Sequence, residues 1–265
     1  MSKPSTWVHD LLACLRFYSR LPVPTPPDEA DPHGLGRFAR AIRMLPLAGA
    51  LLGLGSAAVF VLALRLHAPP FAAAFLALIA SVLLSGGMHE DGLADCADGF
   101  GGGGDRERKL AIMRDSRLGS YGATALILSL GLRASLIAAL ASTQGGAALA
   151  LVAAGALSRC LSLAPLIALP PARADGAGRA AGALTWREAR PAFALALALA
   201  ALPLLAGFSL AACLAADALA VLSSLGICAL AKRQIGGQTG DVAGAAQQAA
   251  ECAMLFVFAA SLGSI

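Results

Sequence analysis

Charged residues are scarce in this sequence, and their scarcity decides its class. Only 14% of the chain is Asp, Glu, Lys or Arg, while 58% is hydrophobic. Soluble domains carry about 25% charged residues, so the composition excludes an ordinary soluble protein. It predicts an all-α, polytopic helical bundle embedded in a membrane.

Paired cysteines are also lacking. None of the six cysteines stands in a CxxC pair or has a histidine at metal-site spacing. This pattern excludes a disulfide framework and a cysteine-based zinc site, so the cysteines are predicted to pack as small apolar side chains. They are Cys14, Cys96, Cys160, Cys213, Cys228 and Cys252.

A cleavable signal peptide is not indicated, because polar residues interrupt the apolar ones between residues 7 and 18. The apolar positions that share one helical face are Trp7, Leu11, Leu15 and Tyr18. Such a helix either lies in the membrane interface or packs under the bundle. Residues 1–43 are therefore assigned to a cytoplasmic or interfacial segment.

Long apolar runs, in contrast, recur along the chain and approach the ~20 residues that cross a bilayer as a helix. They predict about seven transmembrane helices, with a range of six to eight because two runs are short. The runs are 46–66, 69–88, 121–141, 147–169, 191–206, 210–230 and 250–265. No internal repeat or separate soluble domain is evident, so 1–265 is predicted to be one membrane-embedded domain.

Positive charge is nearly absent from one set of connections. With the N-terminus inside, 17 of the 20 Lys and Arg residues fall in inner segments, and Arg65 alone lies in an outer one. Short loops rich in Lys and Arg stay cytoplasmic, which predicts this orientation. The outer connections are too short to hold a site, so any site is predicted to face the cytoplasm.

Acidic residues concentrate after the second apolar run, in GGMHEDGLADCADGFGGGG. If that run continues as a helix, Asp91, Asp95 and Asp98 stand within roughly 60° of one another on one face. Three carboxylates on one face repel unless a cation lies between them, and oxygen ligands suit Mg²⁺ or Ca²⁺. EF-hand spacing is absent, and a solvated acidic helix end is the alternative. Glu90 points off this face and is assigned to solvation.

Glycines and arginines follow the acids. The glycines at 101–104 predict a hinge, and Asp105 is placed to cap a short basic helix at 106–114. Arg114 and Arg117 lie beside Asp115 and glycines and are the better candidates for binding phosphate groups. The cations predicted to contact anionic lipid headgroups are Arg106, Arg108 and Lys109.

A second glycine-rich stretch, GGQTGD, precedes the last apolar run. The amides of its glycines and the hydroxyl of Thr239 can cradle phosphate oxygens, and Asp241 can add a metal ligand. A plain turn between helices is the alternative.

Two arginines, Arg133 and Arg159, fall within predicted spans. An arginine in mid-span costs on the order of 3 kcal/mol or more unless it faces a cavity or a partner. Both are predicted to face the bundle interior, where they contact substrate phosphates or pair with carbonyls or an acid such as Asp217.

The acidic stretch HEDGLADCADG is similar to the HxDGLADxxDG signature of the cobalamin synthase family, membrane-bound adenosylcobinamide-GDP ribazoletransferases. The resemblance extends over nearly the whole chain, through RLPVP, PLAG, DSRLGSYG, LSR, GQTGD and Glu251. Glu90 is a departure, because the family has leucine there.

The resemblance implies a reaction of adenosylcobinamide-GDP with α-ribazole, or its 5′-phosphate, that releases GMP and uses Mg²⁺. It implies catalytic roles for Asp91, Asp95, Asp98, Arg117 and Arg159, and metal ligation by Asp91, Asp95, Asp98 and Asp241. Substrate contacts are implied for Arg114, Ser116, Arg133, Gly237, Thr239, Asp241 and His89. His89 and Asp115 are the hypotheses for a general base.

The implied location is the bacterial cytoplasmic membrane, with residues 89–120 as the cytoplasmic active-site loop. The lipid bilayer and the two substrates are the expected partners, together with a homo-oligomer, and no nucleic acid is expected.

Two other classes of membrane protein are also compatible with the sequence. A CDP-alcohol phosphotransferase is also a membrane Mg²⁺ enzyme, but the Ala-Arg expected after its Asp-Gly is missing here. A secondary transporter is the non-enzyme alternative, although the acids cluster on one aqueous side rather than at mid-membrane.

Overall fold

The computed structural model describes residues 5–25, 38–173 and 184–262. Across these ranges the regular structure is helical, apart from one isolated parallel bridge between Pro171 and Gln238. The helices are α1 (Ser5–Tyr18), α2 (Phe38–Ala41), α3 (Leu45–Arg65), α4 (Pro70–Ser85), α5 (Met88–Gly102), α6 (Arg106–Ile112), α7 (Ser120–Ala139), α8 (Gln144–Leu161), α9 (Leu163–Ala168), α10 (Trp186–Ala200), α11 (Leu210–Ile235) and α12 (Gly240–Leu262). The all-α prediction is confirmed.

Several of these helices are long and apolar enough to cross a membrane. In the described part of the chain there are five such segments, and a sixth if the bent pair α4 and α5 is one crossing. The five are Ala39–Arg65, Ser120–Ala168, Trp186–Ala206, Leu210–Ile235 and Gly240–Leu262. The chain is therefore a polytopic helical membrane protein, and its predicted third and fourth runs lie in one segment.

That segment, Ser120–Ala168, has 49 residues and contains α7, a 3₁₀ turn at Leu140–Thr143 and α8. Near its start Gly122 lies against Asp98, and just beyond its end Pro171 pairs with Gln238. Both ends therefore lie at the acidic end of the bundle, and the segment runs out and back.

Small residues allow a close backbone contact between α3 and α8. A Cβ at Gly49 would lie 2.3 Å from the carbonyl oxygen of Gly155, and one at Gly53 would lie 2.5 Å from that of Leu151. Glycine allows the two backbones to approach as membrane helices commonly do. Because residue numbers rise along α3 as they fall along α8, the two helices are antiparallel.

The second apolar run does not continue straight into the acidic stretch. The helix α4 ends at Ser85, and Gly86 and Gly87 both adopt left-handed conformations, with φ of 73° and 69°. The chain then turns by 92° into α5. The apolar run and the acidic stretch are therefore two helices, because two consecutive positive φ values end the α4 hydrogen-bond ladder, and the three aspartates all lie on α5.

Other helix boundaries also differ from the predicted ones. The last helix begins at Gly240 rather than 250, and the helix of the fourth run breaks at Ser162. The predicted hinge at 101–104 is half helical, because α5 continues to Gly102.

The N-terminal helix α1 packs on the bundle. Tyr18 is buried, and the Cys14 thiol donates to the carbonyl of Ala41 at 3.0 Å. Asp10 is only 3% exposed and forms an ion pair with Arg43. These contacts favour the packed helix over one lying only in the interface.

The cysteines are free, as predicted. Five are buried and Cys252 is half-buried. Their thiols therefore serve as apolar packing groups.

Candidate active site

The centre of the site is the face of α5 that carries Asp91 and Asp95. Asp91 is exposed and Asp95 is half-buried. The negative charges of Asp91, Asp98 and Asp241 repel the carboxylate of Asp95. The positive charge of Arg173 attracts it. The structure thus brings together carboxylates from α5 and from the first turn of α12.

Glycines allow α5 and α12 to approach this closely. A Cβ at Gly92 would lie 2.8 Å from the carbonyl oxygen of Asp241 and 3.2 Å from the Cα of Gly244. A Cβ at Gly244 would lie 3.2 Å from the carbonyl oxygen of His89. The glycine after Asp91 therefore lets Asp241 join the two aspartates of α5.

Asp98 has a different environment from Asp91 and Asp95. It is buried, and its two oxygens accept hydrogen bonds of 2.8 Å from the backbone N–H groups of Gly119 and Gly122. These N–H groups belong to the N-terminal end of α7 and have no partner within that helix. The carboxylate of Asp98 therefore caps α7 from a neighbouring helix, and its negative charge suits the helix dipole.

The two glycines that Asp98 contacts leave space for its carboxylate. A Cβ at Gly119 would lie against Asp98 Oδ1, and one at Gly122 would lie against Asp98 Oδ2. The glycines of DSRLGSYG are thus explained by this cap.

A metal site is not preformed in the described ranges. No group of three or more His, Cys, Asp or Glu side chains there is arranged to hold a metal ion. The donor set still fits a hard cation, because Asp91, Asp95 and Asp241 offer only oxygens and repel one another. Mg²⁺ is commonly held by one or two carboxylates and completed by substrate phosphates and waters, which this arrangement allows.

The GQTGD turn is held in a defined conformation. The Thr239 hydroxyl donates to Asp241 Oδ2 at 3.1 Å and accepts from the N–H of Val242. Gly237 packs so closely on Pro170 that a Cβ would lie 2.3 Å from the Pro170 carbonyl oxygen. Both Gly237 and Thr239 are buried, so they fix the position of Asp241.

Arg173 also reaches this turn, and sequence reasoning missed it. Its guanidinium lies 3.7 Å from Asp241 Oδ2, and it donates to the carbonyl of Leu110 at 3.1 Å. The signal was weak, because Arg173 stands in an ordinary basic loop and is brought to the site only by the pairing of Pro171 with Gln238.

The predicted phosphate-binding loop lies between α6 and α7 and is exposed. Arg114, Ser116 and Arg117 all face solvent. Arg117 pairs with Asp115, and its hydrogen bonds lower the pKa of that carboxyl to about 2. Asp115 is therefore an anion at neutral pH and a weak base.

The cations of α6 form structural contacts. Asp105 caps this helix as predicted, accepting from the N–H of Arg108. Arg106 donates to the carbonyls of Ile235 and Ala172 at 2.9 and 2.7 Å, and Lys109 donates to Gln234. These contacts tie α6 to the end of α11 and to a nearby loop, while the contact of Arg106, Arg108 and Lys109 with lipid headgroups stays a prediction.

Glu90 is not a solvated residue, which corrects the sequence-based assignment. It is 9% exposed and pairs with Arg133 at 2.9 Å. Arg133, fully buried, also lies 3.3 Å from Glu251 and donates to Gln248. The buried network of Glu90, Arg133, Glu251 and Gln248 joins α5, α7 and α12, and Asp217 is not part of it.

Arg159 and His89 are interior as well. Arg159 donates to the carbonyl of Gly155 at 3.2 Å, and its side chain packs against Gly49. His89 is 3% exposed and stacks on Tyr18, with ring centroids 6.1 Å apart. Neither residue lies on the exposed face that carries Asp91.

Comparison of the sequence with known proteins identifies its family. The sequence pattern of the family described as CobS: Cobalamin-5-phosphate synthase matches residues 10–259. The chain belongs to this family. No solved structure matches it.

Three similar proteins carry the name adenosylcobinamide-GDP ribazoletransferase. That of Azorhizobium caulinodans is 50% identical over 249 residues, covering 93% of each chain. That of Bradyrhizobium diazoefficiens is 46% identical, covering 96% of this chain and 94% of its own, and that of Sinorhizobium medicae is 44% identical, covering 96% and 97%. The family assignment confirms the resemblance and replaces the two alternative classes.

Proposed function

We propose that the acidic face formed by Asp91, Asp95 and Asp241 is the catalytic centre of an adenosylcobinamide-GDP ribazoletransferase that assembles the nucleotide loop of cobalamin. Family membership over residues 10–259 supports the activity. The position of the catalytic centre is supported by one observation: Asp91 and Asp95 form no ion pair with any described residue. Like charges left unpaired at an exposed face are typical of a site that awaits a cationic partner.

The reaction exchanges one phosphorus–oxygen bond for another. A ribose hydroxyl of α-ribazole, or of its 5′-phosphate, bonds to the phosphorus attached to cobinamide. The bond from that phosphorus to GMP breaks, and one proton is released. Such a transfer needs substrate positioning and neutralisation of phosphate charge more than covalent chemistry from the protein.

Asp91, Asp95 and Asp241 would hold the Mg²⁺ ion. When bound, Mg²⁺ supplies neutralisation of the pyrophosphate charge. The buried Thr239 and Gly237 orient Asp241, and the guanidinium of Arg173 restrains its carboxylate. Asp98 is assigned to positioning rather than to the ligand set, because both of its oxygens serve the amides of α7.

The exposed loop supplies the cations for the substrate. Asp98 fixes the N-terminal end of α7, and the loop residues Arg114, Ser116 and Arg117 precede that end directly. We assign Arg117 and Arg114 to the phosphoryl oxygens of adenosylcobinamide-GDP, with Ser116 as a hydrogen-bond donor. The open position of this loop also suits a corrin, which is too large for an enclosed pocket.

The buried cations have a supporting role in this scheme. Arg133 binds Glu90 and Glu251, so it orients the first turn of α5 and with it Asp91. Arg159 and His89 belong to the same interior layer and are assigned to positioning. Asp115 is not assigned as the base, because Arg117 holds it as an anion of low basicity.

The proposed location is the bacterial cytoplasmic membrane with the site facing the cytoplasm, because most of the cations fall on the same side as the acids. Two glycines allow a matched test, since a Cβ at Gly104 or Gly145 meets no atom within 4 Å. In a cysteine-free background, Gly145→Cys should be labelled in sealed cells and Gly104→Cys only after permeabilisation. Labelling of Gly104→Cys in sealed cells would overturn the orientation.

Release of GMP from adenosylcobinamide-GDP by the purified protein tests the function. Turnover should require both an α-ribazole acceptor and Mg²⁺. The absence of GMP release with either acceptor, in protein that remains monodisperse, would overturn the activity. Size measurement of the same sample tests the predicted homo-oligomer.

A further inference from the structure

A cavity lies next to the acidic face, between α1 and the bend that joins α4 to α5. Its volume is about 520 Å³. Its lining includes the cations Arg16 and Arg20, the apolar side chains Phe17 and Met88, and Asp91. Asp91 is therefore shared between this cavity and the proposed catalytic face.

The local backbone holds the cavity in place. The N–H of Arg20 donates to the carbonyl of Leu84 at 2.7 Å, which ties the end of α1 to the end of α4. The Arg20 side chain lies over Gly86, where a Cβ would be 2.5 Å from its Nε. Arg16 donates to the carbonyl of Pro24 at 3.1 Å. The wall of the cavity thus carries two arginine side chains, Arg16 bonded to a backbone carbonyl and Arg20 packed over Gly86.

The chemistry of the lining selects a class of ligand. Guanidinium groups recognise phosphate oxygens with directed, charge-assisted hydrogen bonds. Phe17 and Met88 offer apolar and polarisable surface to a flat ring. The volume lies in the range of small-molecule sites, which is enough for a nucleotide and too little for a corrin.

We propose that this cavity binds the acceptor nucleotide, with the 5′-phosphate of α-ribazole 5′-phosphate on Arg16 and Arg20 and its ribose directed towards Asp91. This inference rests on the proposed function. It places the acceptor on one side of Asp91 and the pyrophosphate of adenosylcobinamide-GDP on the other, beside Asp95 and Asp241. The two reactants therefore approach the same carboxylate face from different elements of the fold.

Acceptor kinetics test the phosphate contact. Arg20→Gln and Arg16→Gln should each raise the KM for α-ribazole 5′-phosphate roughly tenfold more than the KM for α-ribazole, as the loss of a charge-assisted hydrogen bond requires. Arg187→Gln removes the same charge from an exposed position of α10 and should leave both KM values unchanged. Equal changes for the two acceptors, or a rise in the KM for adenosylcobinamide-GDP instead, would overturn the assignment.

A binding measurement covers the case in which an arginine variant does not fold. Met88 lines the cavity and is 36% exposed, so Met88→Cys places a reactive thiol there. α-Ribazole 5′-phosphate alone should slow its alkylation, and α-ribazole should do so less well. Protection by adenosylcobinamide-GDP alone, or by neither acceptor, would contradict the proposal.

Anionic lipid is the other source of phosphate near this cavity, and lipid composition separates the two sources. In nanodiscs of pure phosphatidylcholine, the selective KM effect of Arg20→Gln should persist. If the effect appeared only when phosphatidylglycerol was present, the cavity would be a headgroup site and the acceptor assignment would be wrong.

If the parent enzyme released no GMP with either acceptor, the proposed function would fail, whereas loss of acceptor selectivity alone would overturn only the acceptor assignment.

Discussion

Glu90 and Asp91 are neighbours on α5, yet they belong to two different electrostatic environments. Glu90 lies in the buried network with Arg133 and Glu251, where opposite charges are within 3.3 Å. Asp91 faces outward with Asp95 and has other carboxylates as its electrostatic neighbours. Successive residues of a helix differ by about 100°, so one turn of chain serves both regions.

The difference between the two regions separates structure from function. In the buried network, each charge has a partner that compensates for its loss of hydration. On the acidic face, Asp91 and Asp95 are close to each other without an ion pair to any described residue, and Arg173 pairs only with Asp241 among them, as the proposed cationic ligand would require. The comparison predicts that changes in the network affect folding, whereas changes on the face affect turnover.

The largest effect is expected when the network loses its cation. Arg133→Leu leaves Glu90 and Glu251 without their shared partner in the interior, and breaking a buried pair typically costs about 3–5 kcal/mol. The thermal unfolding of purified protein in detergent should shift strongly downwards. Arg187→Leu on the exposed side of α10 is the control and should unfold like the parent.

A further variant sharpens this prediction. Glu90→Gln, Glu251→Gln and Arg133→Met combined remove all the charges of the network and should recover part of the stability lost in Arg133→Leu. An Arg133→Leu variant as stable as the parent would show that the ion pairs contribute nothing to folding.

The next effect is on catalysis alone. Asp91→Asn and Asp95→Asn keep the size of each side chain but remove its charge, so each should lower turnover on the order of 10²-fold. Their unfolding temperatures should equal or exceed that of the parent, because repulsion is relieved. Glu107→Gln, an exposed acid on α6, provides the matched control and should retain full turnover.

The cap on α7 should give an intermediate effect. Asp98→Asn can satisfy one backbone amide but presents an amino group to the other, which costs on the order of 1 kcal/mol. Turnover should fall roughly tenfold while the Mg²⁺ concentration needed stays unchanged. If Asp98→Asn instead required much more Mg²⁺, Asp98 would be a metal ligand and the positioning assignment would be wrong.

The smallest effect concerns pH. Because Arg117 holds the pKa of Asp115 at about 2, this carboxyl stays ionised as the pH falls from 8 to 5. Asp115→Asn should therefore leave the shape of the pH–rate profile unchanged over that range. The loss of a titration step near neutral pH in this variant would identify Asp115 as the base.

The sequence was sufficient for the fold class and for the main motif. Apolar runs and low charge predicted the helical membrane bundle, and the i, i+4 and i+7 spacing placed three aspartates on one helix. The spacing could not distinguish Asp98 from Asp91 and Asp95, because its role depends on the amides of Gly119 and Gly122, which are distant in sequence.

The burial of Glu90 and the part played by Arg173 were not accessible from sequence for a similar reason. The hydrophobic pattern of α5 is too weak to show which side of its first turn packs against Arg133, and the turn at Gly86 and Gly87 changes that direction. Arg173 reaches Asp241 only through the pairing of two loops. Contacts between distant segments therefore account for most of the corrections.

Metal binding by the exposed face of α5 is tested by a Mg²⁺ titration of GMP release by three proteins: the parent, Asp95→Asn and Glu90→Gln. We expect that Asp95→Asn needs at least tenfold more Mg²⁺ or is inactive at any concentration. Glu90→Gln should unfold more easily but show the Mg²⁺ dependence of the parent. Equal Mg²⁺ dependence in the parent and Asp95→Asn, at equal turnover, would contradict the central claim that the exposed face of α5 holds the metal.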